Sequence, residues 1–330
     1  MAMITHVAAQ QLTLPESIPE LAKRAGWTIE ATAAAGAGRT RHRVPAGVSQ
    51  IELICDAVSQ LHLSPAQLSE AQWLICAQAV PWRAMPTNAA VVHARLALPP
   101  SVRAFDINAS CLSFLAALQL VGPCVDASGK PALVASSEIP LQALDWTAPH
   151  SAALFGDGAA AAWVVPDREP QVGELLLAIG THLTECYTEI SEACVIRGGG
   201  TKDPFYGDGY GKFSMNGKAL FLVASRNMDG FIERFVALGG VAPSSADWVI
   251  AHQASREAVE LIRRKLNINP DRYPVRFEEF GNQVSASIPE GLASLWQSGR
   301  LRHGDRILAL GTGAGLLIGA TELTVVGAKP

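Results

Sequence analysis

Apolar positions recur at helical spacing and at strand spacing in alternation along the whole chain. Such a pattern points to layered α/β structure. Residues 18–35 are alanine-rich with helical spacing, 51–61 read as an amphipathic helix, 73–80 as a buried strand and 89–96 as another helix. A short extended run at 102–107 gives way to Asn108, Ala109 and Ser110, then Cys111, then Leu112, Leu115, Ala116 and Leu118 at helical spacing. The spacing predicts strand, sharp turn and helix, with Cys111 in the helix's first turn. A strand is expected at 132–136 and a strand–turn–strand at 152–165. Further on come a strand at 175–180, a long helix at 216–238, a strand at 248–251, a helix at 255–266, a helix after Asn282 and a closing strand pair.

The stretch P-D-R-E-P at 166–170 is polar, carries two prolines and separates two similar lengths of chain. We therefore read two halves, 1–168 and 169–330. Each half carries a glycine-rich turn beside an apolar strand near its end, L-F-G-D-G-A-A-A-A-W-V-V from Leu154 and L-G-T-G-A-G-L-L-I-G-A-T-E-L from Leu310. An internal duplication accounts for both the length and this placement.

A chain of 330 residues, 49% hydrophobic and 17% charged, has the composition of a compact globular protein. The net charge of −4 argues against nucleic acid as the main partner. Residues 1–7 lack a basic flank and an apolar signal core, and the longest uncharged apolar run, 307–320, is 14 residues, too short to span a bilayer. A cytoplasmic protein without a membrane partner is expected. Six scattered cysteines with no C-x-x-C pair read as free thiols, with neither a metal site nor a disulfide framework.

Three residues rise above this background. Cys111 sits at a strand–turn–helix junction, where the free N–H groups of a helix start favour a thiolate. His252 ends a buried strand in W-V-I-A-H-Q-A-S, and strand ends are where ligands bind in α/β sheets. Asn282 stands at the mouth of a small-residue helix in F-G-N-Q-V-S-A-S. Taken singly, they read as a buried small hydrophobe, a core histidine and a turn residue. Together they suggest acyl transfer through a thioester. The gap 252 − 111 = 141 falls within the roughly 130–150 of papain-like proteases, but the C-G-S/A-C-W/Y surround of those enzymes is missing.

From residue 73 onward the chain resembles β-ketoacyl-acyl-carrier-protein synthase III, a branch of the thiolase superfamily. The matching stretches are F-D-I-N-A-S-C-L-S-F, A-L-V-A-S-S-E, L-F-G-D-G-A-A-A-A, F-S-M-N-G-K-A-L-F, W-V-I-A-H-Q-A-S, F-G-N-Q-V-S-A-S-I-P and G-T-G-A-G-L, in the order and spacing of the family. The resemblance implies a thiolase-like, five-layered α-β-α-β-α fold of two similar halves, acting as a homodimer. It implies an acyl group passed from acyl-CoA to Cys111, then decarboxylative condensation with malonyl-acyl-carrier protein (ACP), and no cofactor beyond the acyl-CoA substrate. His252 and Asn282 would stabilise the enolate. The backbone N–H of Cys111 and that of Ala314 or Gly315 would hold the oxyanion. Met85, in W-R-A-M-P-T, matches the position that reaches into the partner subunit's acyl pocket.

The first seventy or so residues depart from the family. Trp27 corresponds to its coenzyme A-facing tryptophan, while Arg39, Arg41 and Arg43 are the candidates for its arginine. Glu257 stands where the family often has a docking arginine. Arg263, Arg264 and Lys265 lie further along the same helix and are the candidates for docking the acidic carrier. Two alternatives stay open: a non-decarboxylating acyltransferase on the same fold, and a non-catalytic partner of a heterodimeric synthase.

Overall fold

The computed structural model describes residues 1–142, 144–198, 200–202 and 211–327. The first part of the chain forms β1 (Met3–Ala9), β2 (Leu14–Ser17), α1 (Ile18–Ala25), α2 (Ile29–Ala34), β3 (Thr40–Arg43), α3 (Gln50–Ser59) and α4 (Pro65–Ser69). Next come β4 (Trp73–Ala77), α5 (Asn88–Arg95), β5 (Arg103–Ile107), α6 (Ser113–Ser128), β6 (Ala132–Glu138), α7 (Pro149–Ala152) and β7 (Gly158–Val165). The remainder begins with β8 (Leu175–Cys186), β9 (Cys194–Ile196), β10 (Phe213–Met215), α8 (Gly217–Ala237), β11 (Trp248–Ala251) and α9 (Arg256–Lys265). It closes with α10 (Phe277–Phe280), α11 (Ser287–Gln297), β12 (Arg306–Gly313) and β13 (Leu317–Gly327).

Local chemistry sets several of these boundaries. Ser17 with Glu20, Ser49 with Glu52 and Ser64 with Gln67 form reciprocal capping boxes at the starts of α1, α3 and α4. An N-cap of this kind is worth about 1 kcal/mol. The single helix expected over 18–35 is broken into two by Gly26, which closes α1 in the left-handed region at φ 71°. The stretch at 152–165 is the end of α7, a turn and one strand; the expected first strand is absent there.

Nine strands form one sheet in the order β11-β12-β13-β8-β1-β7-β6-β4-β5. The order reads as two copies of one plan joined edge to edge. In one copy β1 pairs antiparallel with β7, β7 antiparallel with β6, and β6 parallel with β4. In the other β8 pairs antiparallel with β13, β13 antiparallel with β12, and β12 parallel with β11. The join is short, Met3 opposite Ala178 and Ile4 opposite Leu177. Segment 166–170 lies between β7 and β8.

The period of two along each strand builds the layers. In β4, Trp73, Ile75 and Ala77 face a central core shared with α6 and α11, while Leu74 and Cys76 face an outer core under α3 and α5. In β12, Ile307 and Ala309 face the same central core, and Leu308 and Leu310 face a second outer core under α8 and α9. The two halves of the one sheet thus form two layers, with α6 and α11 between them, α3 and α5 outside one and α8 and α9 outside the other, the five-layered α-β-α-β-α order expected. The expectation that 307–320 is the longest uncharged apolar run is corrected here: residues 110–128, most of them in α6, are long and apolar enough to cross a membrane by length and composition, and they sit in that central layer with Phe114, Leu118 and Val121 buried.

Candidate active site

Cys111 follows β5 in a tight turn held by its own small residues. The Asn108 side chain accepts from the Ser110 N–H (2.9 Å) and donates to the Ala79 carbonyl (2.9 Å). The Ser113 hydroxyl accepts from the Ala109 N–H (2.9 Å) and donates to the Ser110 carbonyl (2.6 Å). Ser110 takes a positive φ of 53° to make the corner.

Helix α6 starts at Ser113 with Leu112 as its N-cap, so Cys111 lies one residue outside the cap and not in the first turn. The expectation of a helix-stabilised thiolate is corrected accordingly. Burial pushes the Cys111 thiol well up, and Cys194 and Glu138 add to the rise. The backbone N–H groups of Cys111 itself and of Ala314 pull the other way by hydrogen bonding to the sulfur. Burial outweighs these two main-chain groups, and the cysteine rests as a thiol. Of the two alternatives raised for the second donor, Ala314 lines the same cavity as Cys111; Gly315, at φ 125°, follows it in the turn.

His252 follows β11, its N–H bonded to the Leu310 carbonyl of β12 at 2.9 Å. It is 3% exposed, and burial lowers its pKa to about 4, so the ring is neutral. Nδ1 is buried with no hydrogen-bond partner among the described residues. Gly311 explains how the ring packs against the cysteine turn: a Cβ there would lie 2.8 Å from the His252 Cβ and 2.9 Å from Leu112. Gln253 fixes the loop beyond. Its amide oxygen accepts from the N–H groups of Arg276 and Phe277, each at 3.0 Å, and its amide nitrogen donates to the Ala251 carbonyl at 2.8 Å.

Asn282 follows α10 and Gly281. Its main chain pairs with the glycine-rich turn of the first half: its N–H donates to the Leu154 carbonyl (2.8 Å) and its carbonyl accepts from the Gly156 N–H (3.1 Å). Gly156 has no side chain because a Cβ would strike the Phe280 carbonyl oxygen at 2.0 Å. Asn282 Oδ1 accepts from the Val284 N–H at 2.8 Å, which orients the carboxamide, and Nδ2 donates to the Ala254 carbonyl at 3.3 Å.

Cys111, His252, Asn282 and Ala314 all line one cavity of about 1100 Å³. One wall is the stretch 79–84; apolar side chains such as Phe155, Phe213, Leu220 and Ile262 line much of the rest. Three side chains from distant parts of the sequence thus share one space with a pair of N–H donors.

The other candidates fall elsewhere. Trp27 stacks on Trp146 at 5.6 Å and donates to its carbonyl at 2.7 Å, outside the residues that line the cavity. Arg41 is fully buried, donating to the carbonyls of Ala153 (2.9 Å), Thr40 (2.6 Å) and Phe277 (3.2 Å), so it is not available to a nucleotide. Arg39 pairs with Glu279 and Arg43 with Glu16. Met85 is 84% exposed. Arg263 and Arg264 both pair with Glu260, and Lys265, which reaches the cavity, pairs with Asp229. Sequence reasoning missed Glu138, Cys194 and Gln253; Glu138 and Cys194 line the cavity, and Gln253 braces it.

Residues 105–182 match the family described as 3-oxoacyl-[acyl-carrier-protein (ACP)] synthase III, and residues 237–325 match that family's C-terminal part. The beta-ketoacyl-[acyl-carrier-protein] synthase III of Aquifex aeolicus is 32% identical over 269 residues, covering 81% of this chain and 80% of its own. Its crystal structure superposes with a TM-score of 0.82 at 26% identity, covering 98% of this chain and all of the other. The synthase III of Thermus thermophilus gives a TM-score of 0.84 at 25% identity, with 98% and 99% covered.

Proposed function

Because the chain belongs to the 3-oxoacyl-[acyl-carrier-protein] synthase III family of condensing acyltransferases, we propose that it joins an acyl group from acyl-CoA to malonyl-ACP with loss of carbon dioxide. The observation that carries the proposal is the single cavity holding Cys111, His252, Asn282 and the Ala314 turn. The Cys111 thiol attacks the thioester carbonyl, and the N–H groups of Cys111 and Ala314 take the negative charge that develops on its oxygen. The thiol proton passes by way of the neutral His252 ring to the departing thiolate, leaving acyl-Cys111 and free coenzyme A. Malonyl-ACP then occupies the same space. Its C–C bond to the carboxylate breaks, and the electron pair moves into the thioester as an enolate that accepts hydrogen bonds from His252 and Asn282. The enolate carbon attacks acyl-Cys111, the C–S bond breaks, the departing Cys111 thiolate takes up a proton from solvent to restore the thiol, and 3-oxoacyl-ACP leaves. This chemistry needs neutral donors, which suits a ring titrating near 4 and an oriented carboxamide.

The same reading assigns the remaining residues. The edge strand β5, without an outer neighbour among the described residues and with Phe105 44% exposed, and the exposed Met85 support a homodimer whose partner receives Met85 in its acyl pocket. Arg263, Arg264 and Lys265 would meet the acidic carrier by exchanging their present carboxylate partners. The repeated strand plan supports two duplicated halves, 1–168 and 169–330. We place the enzyme in the cytoplasm, without a cofactor. Trp27 would meet coenzyme A only at the outer approach to the site.

Incubation with a panel of acyl-CoA thioesters and malonyl-ACP is expected to release carbon dioxide in step with 3-oxoacyl-ACP. Acylation of Cys111 without decarboxylation would sink the condensing mechanism. Transfer to an added alcohol or amine would favour the non-decarboxylating alternative, which draws on the burial of Arg41 away from any nucleotide.

A further inference from the structure

Glu138 ends β6 inside the cavity that holds Cys111, and none of the steps above uses it. It is 1% exposed and makes no ion pair among the described residues. Three donors converge on its carboxylate. Oε1 accepts from the Ala79 N–H (2.5 Å) and the Ser285 hydroxyl (2.6 Å), and Oε2 accepts from the Val80 N–H (3.4 Å). Ala79 and Val80 open the 79–84 wall of the cavity. Ser285 stands three residues after Asn282, and its hydroxyl also lies 2.8 Å from Ser136 Oγ and 3.2 Å from the Ala77 carbonyl. One carboxylate therefore ties the ends of β4 and β6 to the turn that carries the carboxamide.

We propose that Glu138 is a positioning residue for the condensing reaction: it clamps the 79–84 wall against the Ser285 turn, fixing the slot beside Cys111, and its carboxylate, in the same cavity, opposes negative charge on the Cys111 sulfur before acylation. The proposal deepens the condensing reading and rests on it for its effect on turnover. A buried carboxylate with only neutral donors is poorly stabilised, and burial raises its pKa to about 7. When it takes up a proton, an O–H enters a space already filled by three donors, and the wall loosens. While ionised, it opposes a thiolate at Cys111. Acylation removes the thiol that would carry that charge, so the clamp and the acyl-enzyme are compatible.

The other titratable groups around the clamp are few. Cys111 faces it from the turn before α6; Cys194 of β9, His252 after β11 and His150 of α7 share the cavity. Arg83 stands on the wall itself, and Lys218, Glu257 and Lys265 line the same cavity from α8 and α9.

Two variants of the full chain test the proposal, Glu138→Gln and Ser285→Ala, each checked for folding by thermal melting. The first readout is alkylation of Cys111 by iodoacetamide as a function of pH, which is independent of any condensation. Glu138→Gln is expected to shift that profile to lower pH by about one unit, a roughly tenfold faster reaction at a given pH below the thiol's midpoint. Ser285→Ala keeps the charge and should leave the profile in place. The second readout is KM and kcat across acyl-CoA chain lengths. Both variants should raise KM about tenfold, with kcat changed far less, as expected for a loosened binding wall. A folded Glu138→Gln protein with an unmoved alkylation profile and unchanged KM overturns the proposal. Should that variant not fold, an unchanged KM in Ser285→Ala overturns it. If the unsubstituted protein condenses nothing while the alkylation profile still shifts, the condensing reading fails and the coupling of Glu138 to Cys111 stands.

Discussion

The two halves of the sheet share one strand plan but put different chemistry at the same place. Strand β4 in the first half corresponds to β11 in the second. The residue after β4 is Gln78, 2% exposed, with its amide oxygen lacking a partner among the described residues. The residue after β11 is His252, 3% exposed, with Nδ1 similarly unpartnered. Both are buried polar groups at the end of a parallel strand. Only His252 lines the cavity; Gln78 does not, and its successor Ala79 does. A strand end in this plan aims a polar side chain inward, and one half has turned that position toward a substrate. The duplicated plan also places the central helices: α6 carries the cysteine turn before it, and α11 the asparagine turn.

The sharpest way to break this comparison is to remove both side chains in turn. His252→Ala should cost roughly 10²- to 10³-fold in condensation, the usual loss of one positioned donor or proton relay. Gln78→Ala should leave the rate of the folded enzyme within about fivefold, because it touches no reacting atom. Steady-state carbon dioxide release measures both. Equal losses would mean that the two strand ends do equivalent work.

Asn282 sharpens the contrast within the second half. Asn282→Ala should slow decarboxylation by about 10²-fold while acylation of Cys111 proceeds, since its carboxamide is assigned only to the enolate. Intact-protein mass spectrometry of the acyl-enzyme, beside carbon dioxide release, separates the two steps.

How much of this was legible follows from which signals are local. Cys111, His252 and Asn282 sit in short motifs legible along the sequence, so three residues that line one cavity could be picked out before the fold. The thiolate could not, because the start of α6 differs by two residues from the expected one and burial outweighs any helix-end field. Glu138 lay in plain view at the end of A-L-V-A-S-S-E, but its burial depends on donors from residues 79, 80 and 285. Arg39, Arg41 and Arg43 misled for the same reason. The family resemblance suggested that one of them faces coenzyme A, whereas Arg41, on β3 paired with β2, is fully buried.

Arg41 offers the next test, since it braces the junction between the halves. It joins β3 to Ala153 in the first half and to Phe277 in the second, and its guanidinium lies 4.7 Å from the Phe277 ring. Gly281, beside Asn282, has no room for a Cβ, which would lie 2.6 Å from the Arg41 side chain. Arg41→Met removes these hydrogen bonds and leaves buried carbonyls unpaired, so a loss of about 2–3 kcal/mol is expected by urea unfolding. Relief of burying a guanidinium, whose pKa is lowered to about 10, offsets part of that loss.

The smallest effect separates the halves by pH. Of the carboxyls and histidines, those shifted furthest are Glu138 and Asp157 in the first half, which burial raises to about 7, and the half-buried His182 and buried His252 in the second, which burial lowers to about 4; burial moves Glu290 of the second half and His6 and His42 of the first in the same senses. Between about 4 and 7 the folded protein holds more protons than the unfolded chain on the carboxyls, so they make stability fall as pH rises. Over about 4 to 6.5 it holds fewer on the histidines, so they make stability rise. The two trends oppose and the net slope from these four groups is small. Asp157→Asn mimics the protonated carboxyl and keeps an oxygen for the Val44 or Leu141 N–H that Asp157 now binds. It removes one falling contribution, so stability should climb by roughly 1–2 kcal/mol more than in the unsubstituted protein between pH 4 and 7. Urea unfolding across that range measures the slope. A slope unchanged by the substitution would mean that Asp157 is ionised throughout, and that the contrast between the halves lies in their strand ends alone.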